Sequence, residues 1–168
     1  STRIHAMENR LLNRERIERM ISAPSEDEAL KVLDECGYGS TAGGSVESRL
    51  AGARAALLDE VQAAVPEPRL VDVFRLKYDY HNAKALVKGE ATGADVRRLL
   101  VSGGRYSCRQ LLEGFQKDAL SGVSARFQQA VAAARRILAD TRDPQQCDIL
   151  LDKACYEEMA RLAEDCAS

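Results

Sequence analysis

The sequence predicts an all-α fold, a multi-helix, bundle-like array of amphipathic helices with short loops and no sheet. Three observations predict it. Alanine, leucine, arginine and glutamate, which favour helices, dominate the 168 residues. Apolar residues recur at spacings of three and four, as on one face of a helix. Valine, isoleucine and threonine form no alternating runs of the kind that a strand requires.

Helix-start and helix-stop signals divide the N-terminal part. Helical spacing runs from Ser1 to about Ser22, and Asn13 is placed to interrupt that segment and restart it as an N-cap. Ser25 opens the next helix, with Glu28 completing a capping box three residues later. Gly37 is expected to end that helix, because glycine adopts the left-handed conformation of a helix C-terminus at little cost.

Two longer helices are predicted in the middle of the chain. Residues 37–44, GYGSTAGG, form a connecting loop that contains no lysine and so is not a phosphate-binding P-loop. Ser45 is the expected N-cap of an amphipathic helix that runs to Val65. A second helix, from Arg69 to about Lys88, carries apolar residues on more than one side, which predicts burial on two sides. The apolar stripe of the first comprises Val46, Leu50, Ala53, Leu57, Val61 and Ala64, and the apolar positions of the second are Leu70, Val73, Phe74, Tyr80, Leu86 and Val87.

Glycines concentrate between Gly89 and Gly104. They predict a boundary between an N-terminal helical module, residues 1–90, and a second helical segment, residues 91–168, packed together as one globule. The helices predicted in the second segment are Ala94–Leu100, a short helix capped by Ser107 and ending near Phe115, Ala125–Leu138, and a last helix that Asp143 caps, that begins at Pro144 and that ends near Asp165.

Composition excludes several classes of function. The net charge is -2, and this lack of a basic excess argues against a nucleic-acid partner. There is no apolar run long enough to span a membrane and no secretory signal. The five cysteines are odd in number and show no CxxC spacing, so free thiols in a reducing compartment are expected. A zinc site of Cys147, Cys155 and Cys166 is a weaker alternative, because spacings of eight and eleven match no common zinc pattern.

Catalytic motifs are missing from the sequence. HExxH, GxSxG and GxGxxG do not occur, so no enzyme activity, cofactor or metal site is predicted. A small helical enzyme whose site combines Tyr78, Asp79 and His81 is one alternative. A helical adaptor or regulatory domain is another.

One polar segment in the second long helix is the candidate functional site. Asp79 and Asn82 are poor helix-interior residues, so their side chains are expected to have specific partners. These partners are either neighbouring helices, in a polar network, or another protein at a contact surface. The candidate residues are Lys77, Tyr78, Asp79, Tyr80, His81, Asn82 and Lys84.

A second candidate surface lies in the first helical segment, where arginines alternate with glutamates. The arrangement is either self-paired surface charge or an electrostatic docking face. Its arginines are Arg10, Arg14, Arg16 and Arg19.

The candidate segment, KYDYHNAK at residues 77–84, resembles the "KYDYHNLK" segment of the C subunit of V-type (archaeal and bacterial A/V-type) ATP synthases, which is called the d subunit in V-ATPases. Ala83 stands where leucine is common. Three further stretches resemble that family in the expected order: RIHAMENRLLNRERIERM from Arg3, ALKVLDECGY from Ala29 and LLDKACYEEMA from Leu150.

The resemblance implies a non-catalytic central-stalk protein without a cofactor. Its expected partners are the membrane rotor ring and the central shaft of the V-type ATP synthase, between which it transmits torque during proton or sodium transport. It is expected at the cytoplasmic face of the membrane, peripheral through the ring and not inserted. Members of the family are about twice as long, so the chain is expected to correspond to the N-terminal half.

Overall fold

The computed structural model describes residues 2–38 and 46–167, with side chains from residue 5 onward. Within these ranges there are eight α-helices, one 3₁₀ turn and no strand, which confirms the predicted all-α fold. The helices are α1 (Thr2–Glu8), α2 (Arg14–Ile21), α3 (Glu26–Glu35), α4 (Val46–Ala64), α5 (Arg69–Thr92), α6 (Cys108–Gln116), α7 (Ala125–Thr141) and α8 (Pro144–Ala167). The 3₁₀ turn, Arg97–Leu99, lies between α5 and α6.

The chain divides into two compact units, residues 1–56 and residues 57–168, and the division falls within α4. The glycine-rich segment Gly89–Gly104, where the sequence places a boundary, lies inside the second unit.

The caps predicted in the first unit are present. The Asn13 side chain accepts a hydrogen bond from the Arg16 N–H at 2.9 Å, and Ser25 Oγ accepts one from the Glu28 N–H at 3.3 Å. Gly37 ends α3 with φ +77°, and Leu33 C=O accepts a bond from the Tyr38 N–H at 3.0 Å, which is the pattern of a Schellman motif. The remainder of the predicted loop after Tyr38, and Ser45 as a cap, lie outside the described residues.

The core of the second unit forms where α5, α7 and α8 pack together, with α6 against α5. Helices α5 and α8 are antiparallel, because Lys84 pairs with Asp152 while Lys88, four residues further along, pairs with Asp148. Phe127 is fully buried, with its ring 5.3 Å from that of Tyr80 and 5.4 Å from that of Tyr106. The buried core residues are Leu76, Tyr80, Ala83, Leu86, Val87, Leu111, Phe115, Phe127, Ala130, Val131, Ala134, Leu138, Cys147, Leu151 and Cys155.

Helix starts in the second unit follow the predicted caps. Ser107 Oγ accepts from the Gln110 N–H at 3.1 Å, and Asp143 Oδ1 accepts from the Gln145 N–H at 2.9 Å. Pro144 is the first residue of α8, where its missing N–H costs no intrahelical bond.

The α-helix predicted for residues 94–100 is wrong, and only the 3₁₀ turn forms there. The Asp95 carboxylate accepts from the Arg97 N–H at 3.1 Å, so the side chain takes a backbone donor that a helix would use. Val96 also packs so tightly on α5 that a Cβ at Gly89 would lie 2.6 Å from its Cγ1. The close approach of the Val96 side chain fixes the turn against α5.

Apolar residues near the start of α5 and on α4 are less buried than their spacing predicts. Eleven residues of α5 are buried, from Val71 to Gly89, but Leu70 is 45% exposed and Phe74 58%. No residue of α4 is buried, and Leu50 and Leu57 of its predicted stripe are exposed. The expectation of two-sided burial therefore fails for the first turns of α5.

We expect Phe127→Ala to lower the free energy of unfolding by about 3–5 kcal/mol, because it leaves a cavity between three packed helices. Urea unfolding followed by circular dichroism measures the change. Tyr156→Ala is the control, since Tyr156 is 70% exposed on α8 and its removal should change stability by less than about 0.5 kcal/mol. Equal effects of the two substitutions would contradict the assigned core.

Candidate functional site

The polar segment of α5 directs its side chains to three different sides. Consecutive residues of a helix are rotated by about 100°, so residues three or four apart share a side. Asp79 and Asn82 face the irregular segment 99–107, and Tyr80 and Lys84 face α8. Lys77 is exposed. The segment is therefore a junction between elements of the second unit.

Asp79 is fully buried and holds the segment before α6. Its Oδ2 accepts from Arg105 Nε at 3.0 Å, and its Oδ1 accepts from the Tyr106 N–H at 3.2 Å. Gly104 lies against the same carboxylate, because a Cβ built there would sit 2.2 Å from Asp79 Oδ1. Asp79 thus determines the path of three consecutive residues.

Glu158 of α8 is the second buried carboxylate of the cluster. Its Oε2 accepts from the Tyr80 hydroxyl at 2.7 Å. Its Oε1 accepts from Arg105 Nη2 at 3.0 Å and from Ser124 Oγ at 2.8 Å. Ser124 is also the N-cap of α7, and its own N–H donates to the Tyr106 hydroxyl at 2.8 Å. Glu158 therefore joins α5, α7 and α8 at one point.

Arg105 is the cation between these two carboxylates, and we call Asp79, Tyr80, Arg105, Ser124 and Glu158 the buried network. One guanidinium faces two carboxylates, both nearly inaccessible to water. Burial raises the pKa of Asp79, and the hydrogen bonds from Arg105 and the Tyr106 N–H, which lower it, are the smaller effect. Burial and the neighbouring Glu158 also raise the pKa of Tyr80, so its hydroxyl stays protonated and donates.

Asn82 and His81 fix the segment that follows the 3₁₀ turn. The Asn82 side chain exchanges two hydrogen bonds with the backbone of Val101, donating to its C=O at 2.9 Å and accepting from its N–H at 2.8 Å. His81 is exposed, and its Nε2 lies 3.1 Å from Leu99 C=O. An amide is suited to the first position because it can donate and accept at once.

The two lysines of the candidate segment, Lys77 and Lys84, make contacts outside the core. Lys84 donates to Asp152 at 2.5 Å across to α8. Lys77 Nζ lies 4.9 Å from the centre of the Tyr78 ring. The structure thus brings Asp79, Tyr80 and Asn82 into polar contacts within the unit and leaves Lys77 and His81 accessible.

The structure does not bring together the residues of the two alternative sites, the enzyme site with His81 and the zinc site of three cysteines. Asp79 is engaged by Arg105, whereas His81 faces Leu99 C=O, so these two do not form a catalytic pair with Tyr78. The three cysteines of the zinc alternative lie on α8, where a rise of 1.5 Å per residue separates neighbours by about 12 and 17 Å. Burial also raises the pKa of the Cys155 thiol to about 11. No acidic, histidine or cysteine cluster able to hold a metal occurs among the described residues.

The arginines of α2 bind carboxylates and a carbonyl group within the first unit. Arg14 pairs with Glu18 at 2.8 Å, Arg19 pairs with Glu35 at 3.1 Å, and Arg16 donates to Leu11 C=O at 2.9 Å. These exposed contacts match the self-paired interpretation. Within residues 2–38 and 46–167, no helix is long and apolar enough to cross a membrane.

Sequence reasoning missed Arg105, Tyr106, Ser124 and Glu158. Glu158 carried a signal, because it continues the buried stripe of Cys147, Leu151 and Cys155 at helical spacing. A carboxylate on an apolar stripe requires a buried partner. Arg105 had no comparable signal, since it lies in a segment without periodicity.

We expect Gly104→Ala to destabilise the protein by about 1–3 kcal/mol, because the added methyl group overlaps the Asp79 carboxylate or displaces it from Arg105. Thermal unfolding checks this. Gly52→Ala is the matched control: no atom lies within 4 Å of the new methyl in α4, so a gain of about 0.5–1 kcal/mol is expected. A neutral Gly104→Ala would argue against the close approach.

We expect the stability difference between the wild-type protein and Asp79→Asn to shrink as pH rises. The pKa of Asp79 is raised in the folded state, above an unfolded value of about 3.9. The unfolded chain therefore releases its proton first, and stability contributed by this group is lost as pH rises through the folded pKa. Urea titrations from about pH 4 to 7 at fixed ionic strength measure the difference. A difference that grew with pH would mean that Arg105 outweighs burial.

Known proteins resemble this chain along nearly its whole length. The model of the ATP synthase (C/AC39) subunit family matches residues 1–167. The C subunit of the V-type sodium ATPase of Enterococcus hirae is 24% identical over 165 residues, which is 96% of this chain and 50% of that protein. The chain thus spans about half the length of the curated relative that it matches. No solved structure matches it.

The family match agrees with the resemblance that the motifs predicted. It includes the candidate segment 77–84 and the N-terminal arginine-rich helices. Members of this family are accessory stalk subunits of V-type ATPases and are not the catalytic subunits. Because the match covers residues 1–167 of 168, the chain belongs to the ATP synthase (C/AC39) subunit family.

Proposed function

We propose that this chain is part of a non-catalytic connector in a V-type ATP synthase. It links the membrane rotor ring to the central shaft and transmits torque during proton or sodium transport coupled to ATP. The observation that carries this proposal is the family match over residues 1–167. The name of the Enterococcus hirae relative adds that a protein of this kind is one of the subunits of a sodium ATPase.

The mechanics of the second unit support the proposal. A part that transmits torque must resist shear between its helices. Two ion pairs, Lys84–Asp152 and Lys88–Asp148, join α5 to α8 side by side. The buried network adds a third cross-link and ties in α7 through Ser124. Removing one partner of a buried ion pair typically costs about 3–5 kcal/mol, so such a link resists displacement.

In this proposal, a partner would touch α5 at the residues of the candidate segment that lie outside the buried network. Lys77, Tyr78 and His81 lie outside the buried network, and the exposed Phe74 is one turn before Tyr78. In the proposed assembly the protein sits at the cytoplasmic face of the membrane, held peripherally through the ring. The partners are the proteins of the ring and the shaft, and no nucleic acid is involved.

We expect the natural full-length protein containing this chain to co-purify with the proteins of both the ring and the shaft. An affinity tag on it, followed by mass spectrometry of the eluate, measures the association. Capture of the catalytic head alone, or of no component of the synthase, would overturn the connector proposal.

A reconstituted synthase tests whether this protein is needed to couple ATP hydrolysis to ion transport. Vesicles with the complete complex should couple ATP hydrolysis to ion uptake. Omitting this protein should abolish uptake while the head continues to hydrolyse ATP. Loss of hydrolysis by the isolated head as well would indicate a catalytic contribution and contradict the proposal.

A further inference from the structure

The end of α4 and the residues that lead from it into α5 are held in the second unit mainly by polar contacts. Residues 57–64, the part of α4 in this unit, include no buried residue, although five of the eight are apolar. Leu57 is 44% exposed, while Leu58 and Val61 are half-buried. In contrast, α5 contributes eleven buried residues to the same unit. Apolar packing therefore holds this segment much less firmly than it holds the core.

One buried arginine of α5 attaches this segment by hydrogen bonds. Arg75 is 7% exposed, and its Nη2 donates to Asp59 Oδ1 at 2.6 Å and to Gln62 Oε1 at 3.2 Å. Its Nη1 donates to Gly103 C=O at 3.4 Å. One guanidinium thus holds two residues of α4 and one residue of the segment before α6.

A second polar contact supports the first. Gln62 Nε2 lies 3.3 Å from Pro68 C=O and 3.3 Å from Asp72 Oδ1. Asp72 Oδ1 also lies 3.8 Å from Arg75 Nε, which is buried and has no hydrogen-bond partner within the described part of the chain. The attachment is therefore polar and only partly satisfied.

Releasing this segment would cost less than breaking the buried network. The Asp59 side chain is 72% exposed in the closed form, so water already solvates much of its charge. Opening would hydrate Arg75, including its unsatisfied Nε, and this gain offsets part of the lost pairing.

We propose that residues 57–68 form a strap that opens locally while the core of α5, α7 and α8 remains folded, and that Arg75 is the latch that keeps the strap closed. Regions with few buried apolar contacts open at lower free energy than the core. The latch acts on two residues of the strap at once, so its removal should change the opening equilibrium of the whole segment. The strap is a property of the isolated chain and does not depend on the proposed function.

Hydrogen exchange followed by mass spectrometry on the whole 168-residue chain tests the strap. In the wild-type protein, the non-proline amides of residues 57–66 should exchange at least about 10-fold faster than those of residues 127–138, because the strap opens without global unfolding. Arg75→Gln should accelerate exchange in 57–66 by a further factor of about 10 and leave 127–138 unchanged. Asp59→Asn should act in the same direction with a smaller factor.

Arg97→Gln is the matched control, since it removes an exposed bidentate pair with Asp95 outside the strap and should leave 57–66 unchanged. The proposal is overturned if 57–66 is as protected as 127–138 in the wild-type protein. It is also overturned if Arg75→Gln accelerates both regions equally, or if Asp59→Asn has no effect on the strap. Because Asp59 is largely exposed, its variant tests the latch even where Arg75→Gln fails to fold.

Discussion

The guanidinium of Arg105 sits between the carboxylates of Asp79 and Glu158, and the arrangement of the second unit depends on this contact. Asp79 belongs to α5 and Glu158 to α8, while Arg105 lies in the segment that leads into α6. Each charge is buried and would be costly without the others. Since Ser124 binds the same glutamate, the start of α7 is fixed to this point as well. Four elements thus meet at one ionic cluster.

How far the sequence could predict this arrangement depends on the range of each interaction. Caps such as Asn13, Ser25 and Ser107 act within three residues, and the pattern alone located them. The expectation that Asp79 and Asn82 need partners followed equally from local rules, because both disfavour a helix interior. Their partners lie 19 to 27 residues further along the chain, and nothing local specifies which residue arrives there. The helix predicted for residues 94–100 is wrong for a related reason. The Asp95 side chain binds a backbone N–H there, and Val96 packs on Gly89, a contact that helical spacing does not reveal.

Half of the residues in the motif segment 77–84 are buried. In KYDYHNAK, the second tyrosine, the aspartate and the asparagine make buried contacts, and the last lysine pairs across to α8. The packing of this fold therefore accounts for these four polar residues. A motif of this kind is informative about relatedness because each residue type satisfies a particular neighbour. It is correspondingly weak as a guide to which surface meets a partner, because only Lys77 and His81 of the segment are exposed.

Two buried arginines, Arg75 of α5 and Arg105 of the segment before α6, show how exposure to solvent changes the strength of an ion pair. Arg105 faces carboxylates that are 0% and 8% exposed, so separating them would strand charges in a medium of low polarity. Arg75 is as buried as these carboxylates, but its partner Asp59 is 72% exposed, and the attraction across that pair is weakened by water and by salt. The first pair therefore makes a rigid joint between core helices. The second holds α4 by a contact that can be exchanged for hydration. The same residue type, arginine, can therefore make a rigid joint where its partner carboxylate is buried and a releasable contact where that carboxylate is exposed.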